Sequence, residues 1–193
     1  PFWSDIDPEV EAACAAAITA TGCAFAELEL RYADLAAPAG GVRASVELTV
    51  AVPVDGLPEL DQLTQGMIAY AARVPALRLA RADRVRARMR RDVAAAFTRV
   101  DLLAWPSNPA PAPPIADPVL QLPSGPVLPD LPNLRQAVIA NLAGIPGISV
   151  PVGRHSSGLP IGLQLLGRWG AEATLLDAAE HFEQLLPGVP AAP

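Results

Sequence analysis

The side chains that could act as nucleophile, base or metal ligand are few in this sequence. Ser156 and Ser157 are adjacent, a pattern that a hydrolase could use, but they lie in a polar, glycine-flanked stretch between two apolar runs. We therefore interpret them as turn residues. We place His155 in the same turn and His181 on the outer side of a final helix. Because neither histidine has a metal-ligand spacing, the sequence predicts no metal site and no cofactor.

The absence of lysine limits the base chemistry that the chain can perform. All 14 basic residues are arginines. A desolvated, neutral lysine can accept a proton from a serine nucleophile, whereas arginine stays protonated. These 193 residues therefore cannot supply a base of the lysine type.

Composition excludes several classes of protein. Hydrophobic residues make up 51% and charged residues 18%, which favours a compact core over a disordered chain. The net charge of -6 argues against a general nucleic-acid-binding surface. Two cysteines, Cys14 and Cys23, are too few for a disulfide scaffold or a four-cysteine zinc site. We predict that both are small core residues.

The sequence predicts neither a membrane span nor a signal peptide. The longest uncharged stretch, residues 136–153, is interrupted by Pro146 and Pro151. No basic start leads into an apolar run with a cleavage site. We therefore expect a cytoplasmic protein. Because the first residue is Pro1 rather than methionine, we also expect a sequence truncated at its start.

In the N-terminal part, the pattern predicts a helix followed by two strands. Asp7 and Pro8 are typical of a helix start, and Gly22 is a plausible stop. Alternating residues then predict strands at 23–30 and at 46–54, and Pro53 indicates an edge strand or a strand end for the second. A helix followed directly by a strand favours an α/β fold.

Residues 57–100 have a helical pattern with a break near Pro75. Between Arg73 and Arg99 there are nine arginines and two acids, a local charge of +7 (9 minus 2). We expect Arg81, Arg84, Arg88 and Arg91 to line the side opposite an apolar stripe of Ala82, Val85, Met89, Val93, Ala96 and Val100. The arginine side is interpreted as a solvated face; binding of RNA phosphates or of an acidic partner is the alternative. Because the stripe has no stacking aromatic residues, we expect no nucleic-acid partner.

The C-terminal part predicts strands and helices around a proline-rich segment. Ten prolines fall among the 28 residues from 105 to 132, so we predict that 106–132 is an extended segment wrapped on the globule. The other predicted elements are a strand at 101–105, a helix at 133–143 stopped by Gly144, strands at 148–152 and 159–166 joined by a turn, a helix from Glu172 and a frayed tail at 187–193. The side chains predicted to face inward from the last helix are Leu175, Leu176, Ala179, Phe182 and Leu186.

Several of these segments together resemble the amidase signature family. The ordered runs are Asn141-Leu-Ala-Gly-Ile-Pro-Gly-Ile-Ser-Val-Pro-Val-Gly153, Gly158-Leu-Pro-Ile-Gly-Leu-Gln-Leu-Leu-Gly167 and 172–176. Upstream, Asp101-Leu-Leu-Ala-Trp-Pro-Ser-Asn-Pro109 is similar to the family's acidic, leucine-rich and proline-rich stretch, with serine and asparagine where threonines are commoner.

The resemblance implies an α/β fold with a mixed sheet covered by helices, and chemistry at amide C–N bonds. Family members use a nucleophilic serine, a second serine in a cis peptide and a lysine. The lysine and the glycine- and serine-rich stretch that carries this set are absent here, so no catalytic residue can be assigned. We therefore expect residues 1–193 to be the C-terminal portion of one amidase domain, cutting carboxamides through a serine acyl-enzyme and inactive without the missing N-terminal half.

Within this portion we predict four residues of a substrate-pocket wall, because they fall at the ends of strands or helices: Trp105, Ser107, Asn108 and Asn141. The expected partners are a small-molecule amide and the missing N-terminal half, with an oligomer left open. The alternative hypothesis is a stand-alone, non-catalytic relative that acts as a binding or assembly module.

Overall fold

The computed structural model describes residues 2–52 and 59–186, except the side chain of Leu131. In these residues there are six helices and five strands. In chain order they are α1 (Pro8–Ala20), α2 (Ala33–Ala51), α3 (Gln62–Ala71), α4 (Ala76–Ala96), β1 (Leu102–Pro106), β2 (Leu120–Leu122), β3 (Gly125–Val127), α5 (Asp130–Ala143), β4 (Gly147–Arg154), β5 (Pro160–Gly167) and α6 (Glu172–Leu185).

The main sheet has three strands in the order β1-β5-β4, and each neighbouring pair is antiparallel. Gln164 in the middle strand lies opposite Trp105 on one side and Ser149 on the other. The predicted hairpin of β4 and β5 is confirmed, as is the α/β class. A second, two-stranded sheet of β2 and β3 lies inside the proline-rich segment, where the sequence predicted no strands.

Alternation along β5 divides the hydrophobic core into two clusters, one on each face of the sheet. Ile161, Leu163 and Leu165 face α1 and α6. Leu166 faces the opposite way, towards α5 and α4. Trp3 packs against both clusters, and its indole Nε1 donates to the carbonyl of Ala104 at 3.1 Å.

The first helix begins as predicted. The Asp7 carboxylate accepts hydrogen bonds from the backbone N–H groups of Glu9 and Val10, and Pro8 occupies the first turn. Val10, Cys14 and Ala17 are buried against the sheet. The start of α1 is also fixed near the end of β1, because the Asp7 N–H donates to the carbonyl of Pro109 at 2.7 Å.

Both strands predicted near the N-terminus are wrong. Residues 23–30 form no ladder and are mostly exposed, including Phe25 and Cys23, so Cys23 is not a core residue. Residues 46–51 belong to α2, and 53–54 lie outside the described residues. The buried face of α2 consists mostly of alanine, glycine and serine, and its packing on α4 and α5 overrides the local alternation. Its Val50 is almost fully exposed.

The remaining helices follow the sequence more closely. Pro75 precedes α4 as predicted, and the apolar stripe faces inward, with Ala82, Met89, Val93 and Ala96 buried and Val85 and Val100 half-buried. The helix predicted at 133–143 begins earlier, at Asp130, and ends as predicted at Ala143, where Gly144 caps it with a φ of +70°. On α6, Leu176 is 62% exposed, so its predicted inward position is wrong. The predicted frayed tail lies outside the described residues.

None of the helices in residues 2–52 and 59–186 has both the length and the apolar character needed to cross a membrane.

Candidate functional site

The end of β1 carries two of the predicted wall residues, Ser107 and Asn108. The Ser107 N–H donates to the carbonyl of Gly162 on β5 at 2.8 Å, which continues the sheet beyond the strand. The Ser107 hydroxyl lies 2.5 Å from the hydroxyl of Ser149 on β4. The two side chains therefore meet across the middle strand, above Gly162. Asn108 is exposed beside them in the chain.

The other two predicted wall residues lie elsewhere. Trp105 is buried, stacks on Phe2 with ring centroids 4.4 Å apart, and donates its indole N–H to the backbone carbonyl of Gln136 at 2.9 Å. Asn141 is exposed on α5. In the described part of the chain no hydrogen bond joins Asn141 to Ser107 or Asn108.

Sequence reasoning missed three residues of this region, Ser149, Gly162 and Gln164. The amide of Gln164 donates to the backbone carbonyl of Gln136 at 3.0 Å, the same carbonyl that Trp105 uses. Alternation within the predicted hairpin could have placed Ser149 and Gln164 on one face. Their closeness to Ser107 could not be predicted, because it depends on the pairing of β1 with β5.

A cavity of about 190 Å³ opens beside Asn108, where the proline-rich segment passes the start of β5. The residues that line it are Val10, Asn108, Ala110, Pro111, Ala112, Leu159, Pro160, Ile161 and Gly162. A wider cleft of about 630 Å³ shares the wall at 110–112 and extends to Asp7, His155 and Ser157. The walls of the cavity are mostly apolar, and Asn108 is the polar side chain among its lining residues.

The polar turn at 155–158 is attached to the start of α1. Ser156 donates to the Glu9 carboxylate from its hydroxyl at 2.7 Å and from its backbone N–H at 2.8 Å. These two bonds lower the pKa of Glu9 below its usual value. His155 Nε2 lies 3.7 Å from Asp7 and 3.5 Å from Glu9, while Nδ1 accepts the Ser157 N–H at 3.0 Å. These residues thus form a turn and its contacts, as predicted for Ser156 and Ser157.

The buried thiol of Cys14 contributes no nucleophile to the site. Cys14 is buried, and its thiol donates to the carbonyl of Gly162 at 3.7 Å. Burial raises the pKa of this thiol to about 12, so it stays protonated at neutral pH. Within residues 2–52 and 59–186, no group of three His, Cys, Asp or Glu side chains could hold a metal ion.

The arginines predicted to face solvent on α4 differ in their exposure. Arg81, Arg84 and Arg91 are exposed, as predicted. Arg88 is half-buried, with its guanidinium 5.2 Å above the ring of Tyr32. The solvent-exposed face of α4 therefore includes three of the four predicted arginines, Arg81, Arg84 and Arg91, but not Arg88.

Comparison with known proteins identifies the family. The sequence model of the Amidase family matches residues 4–176, and the chain belongs to this family. It is therefore related to enzymes that act on amide C–N bonds, in agreement with the motifs at 141–153 and 158–167.

Individual relatives of the chain are also amide-processing proteins by name. The chain is 43% identical over 111 residues to a glutamyl-tRNA(Gln) amidotransferase subunit of Thermosynechococcus vestitus, covering 55% of this chain and 21% of the relative. It is 42% identical over 90 residues to a fatty acid amide hydrolase of Oryza sativa subsp. indica, covering 47% of this chain and 15% of the relative. The chain thus matches about a fifth or less of the length of these curated relatives.

Solved structures share the fold over nearly the whole chain. A 6-aminohexanoate cyclic dimer hydrolase has a TM-score of 0.77 at 24% identity and covers 100% of this chain, which matches 45% of it. A protein from a vestigial complex, described as revealing the evolutionary origins of an s-triazine catabolic enzyme, has a TM-score of 0.83 at 22% identity; the match covers 95% of this chain and 41% of that protein. These similarities establish an amidase fold that spans less than half of each solved protein.

Proposed function

We propose that this chain forms the C-terminal part of an amide C–N hydrolase whose catalytic serines and lysine lie in sequence outside these 193 residues. The observation that carries the proposal is the match to the Amidase family over residues 4–176. The lack of any lysine among the 14 basic residues is the reason for placing the base elsewhere. On this proposal the chain alone is inactive.

The proposed reaction proceeds through an acyl-enzyme. The serine hydroxyl attacks the carbonyl carbon of a carboxamide while a neutral lysine accepts its proton. The C–N bond breaks as the leaving amine takes a proton. Water then attacks the ester, which releases the carboxylic acid and restores the serine. Backbone N–H groups stabilise the oxyanion in both steps.

Within this unit, the chain would contribute one wall of the substrate pocket. Ser107 and Asn108 follow the end of β1, and Asn108 lines the cavity of about 190 Å³. Trp105 is buried away from the cavity, so on this proposal it holds the end of β1 in place and does not contact the substrate. Asn141, exposed on α5, stays a candidate contact. The proposed partners are a small-molecule amide and the remainder of the amidase unit.

A second candidate is a non-catalytic relative that acts as a binding or assembly module. The lack of lysine in these 193 residues is equally consistent with this candidate. The two proposals differ in what the complete protein does with an amide.

The decisive experiment compares this chain with the complete product of its reading frame. The coding sequence upstream of Pro1 is read first, and the complete protein is then assayed for ammonia release from butyramide. We expect release by the complete protein, none by the 193-residue chain, and loss of turnover when the upstream lysine becomes alanine.

Undiminished turnover in that lysine variant would contradict the acyl-enzyme mechanism. No ammonia from the complete protein, together with a stable complex with another protein, would favour the second candidate.

A further inference from the structure

The outer side of α4 carries positive charge that no other part of the described chain neutralises. We define the arginine surface as Leu77, Arg81 and Arg84, all of them exposed, Leu77 to 63%. Asp83, the acid between the two arginines in the sequence, forms its ion pair with Arg43 instead. In the part of the chain that the structure describes, no carboxylate lies within ion-pair distance of Arg81 or Arg84. Two positive charges beside an exposed leucine are therefore free to meet a partner.

The outer side of α6 carries the opposite charge. We define the acidic surface as Leu176, Glu180 and Glu183, which are also exposed, Leu176 to 62%. α6 contains four acids and neither arginine nor lysine. Within the described residues neither glutamate forms an ion pair, and Glu180 accepts one hydrogen bond, from the amide of Gln184 at 3.2 Å.

The two surfaces match in spacing as well as in charge. In α4 the exposed leucine is followed by arginines four and seven positions later, and in α6 the exposed leucine is followed by glutamates at the same two distances. Positions i, i+4 and i+7 lie on one side of a helix, and at 1.5 Å per residue they extend over roughly 10 Å. Two such helices side by side in parallel place leucine against leucine and each arginine opposite a glutamate.

The position of the two helices in the fold prevents this contact within one molecule. α4 packs on one face of the main sheet through Met89 and Val93, whereas α6 packs on the other face through Leu175 and Phe182. Their exposed sides therefore face solvent on opposite sides of the molecule. The arginine surface of one copy can meet the acidic surface only in another copy.

We propose that the arginine surface of α4 is a docking site for the acidic surface of α6 in a second copy of this protein. The contact removes two exposed leucines from water and sets opposite charges against each other, which also fixes the register of the helices. Because exposed ion pairs contribute little individually and salt screens them, the association is weak and depends on ionic strength. It is head-to-tail, so successive copies form chains or close into rings. This self-association is separate from the proposed amide chemistry.

Charge reversal on either surface tests the contact in the complete protein. Analytical ultracentrifugation compares variants over a range of protein concentrations at about 0.05 M and about 0.5 M salt. At low salt we expect the wild-type mass to rise with concentration, and at high salt to rise less. R81E/R84E and E180R/E183R should each weaken the association roughly tenfold or more, because like charges then face each other. The quadruple variant that combines them should restore it, because the charges are again opposite.

R91E/R99E is the matched control. It changes the net charge as much as R81E/R84E does, and both arginines are exposed. In the parallel arrangement they lie beyond Leu185, where α6 ends, so this variant should associate like the wild type. Thermal unfolding verifies that each variant is folded.

Four results would overturn the proposal. They are a wild type that stays monomeric at low salt, equal association in the wild type and both double variants, a quadruple variant as weak as the double variants, and a loss in R91E/R99E as large as that in R81E/R84E. The last result would assign the effect to net charge rather than to the two surfaces.

Discussion

At the scale of single residues, the start of α1 and the turn at 155–158 are joined through one carboxylate. Glu9 accepts two hydrogen bonds from Ser156, and their effect on its pKa makes this contact sensitive to acid. Sequence reasoning placed Ser156 in a turn correctly. It could not predict Glu9 as the partner, because the two residues are 147 positions apart.

Replacing Glu9 with glutamine should remove a pH-dependent part of the stability. The hydrogen bonds favour the ionised carboxylate, so the pKa is lower in the folded state than the usual 4.5. The contribution is therefore complete at neutral pH and is lost as the pH falls below 4.5 and through the lowered folded pKa. Urea unfolding of wild type and E9Q between pH 7 and pH 3 should show two stabilities that differ at neutral pH and converge in acid.

Glu11 provides the control for that measurement. It is exposed on α1 and has no side-chain hydrogen bond in the described residues. E11Q should follow the wild type across the range. A gap between wild type and E9Q that stays constant down to pH 3 would show that the Ser156 bonds do not depend on the charge of Glu9.

At the scale of elements, close approach of α2 to α5 depends on Gly40. A Cβ atom there would lie 2.2 Å from the Val138 Cγ2 atom, and Val138 is buried. Gly40→Ala should therefore destabilise the fold by about 1–3 kcal/mol through overpacking. The neighbouring Gly41→Ala is the control, since its Cβ would meet Leu134 at an ordinary 3.8 Å. Gly41→Ala should gain up to about 1 kcal/mol from helix propensity.

Chemical denaturation of Gly40→Ala, Gly41→Ala and the wild type measures the three free energies of unfolding. If Gly40→Ala is as stable as Gly41→Ala, the helices separate easily at this crossing and the close packing is not a constraint.

The C-terminal end of α5 is held by side chains from α4 and from the loop before α6. Arg86 Nε donates to the carbonyl of Leu142 at 3.0 Å, and Arg90 donates to that of Ala143. The Arg90 guanidinium also lies 5.0 Å from the ring centroid of Trp169, whose indole N–H bonds to the same Ala143 carbonyl. These donors satisfy carbonyls that a helix end leaves free, and the positive charges complement the helix dipole.

Arg90→Ala should therefore cost about 1–2 kcal/mol of unfolding free energy. Arg91→Ala on the exposed side of the same helix should stay within about 0.5 kcal/mol of the wild type. Thermal and urea unfolding measure the stability of the two variants against the wild type. Equal losses in the two variants would indicate a general charge effect of α4 rather than the contacts at the end of α5.

Helices and strands whose apolar residues repeat at a clear helical or alternating spacing were predictable from the sequence. Elements without such a repeat were not. The apolar stripe of α4 and the alternation of the β4–β5 hairpin were correctly predicted. In α2, alanines and glycines form much of the buried face, so a few valines at 46–54 gave the stronger local signal and suggested a strand. Tertiary packing on α5 decided the outcome, as it often does for weakly patterned segments.

At the scale of the whole molecule, the two core clusters on opposite faces of the sheet are connected by Trp3. Its ring contacts both clusters, and its N–H holds the edge of β1. Neither the division of the core nor this connection follows from the sequence pattern, because residues 2–6 have no periodicity. The candidate site could not be predicted from the sequence pattern either. Ser107 and Ser149 come together because β5 lies between β1 and β4 in the sheet.

Trp3→Ala should destabilise the protein by about 2–4 kcal/mol, since it removes a large side chain that packs against both clusters. Phe25→Ala is the aromatic control, because Phe25 is 74% exposed and its removal should change stability by less than about 0.5 kcal/mol. Calorimetric unfolding measures the stability of Trp3→Ala and Phe25→Ala against the wild type. A Trp3→Ala variant as stable as Phe25→Ala would mean that the clusters are held together by the sheet alone.

The contacts of the N-terminal segment have a consequence for folding during synthesis. Trp3, Asp5 and Phe2 bond to residues 101, 119 and 134 positions later in the chain. At about 5–20 residues per second, a ribosome needs roughly 5–30 s to make those partners. Closing such long loops is entropically unfavourable until the rest of the core can compensate for it. Although they are made well before their partners, these residues therefore complete their contacts late, when β1, the segment around Ser124 and α5 have been made.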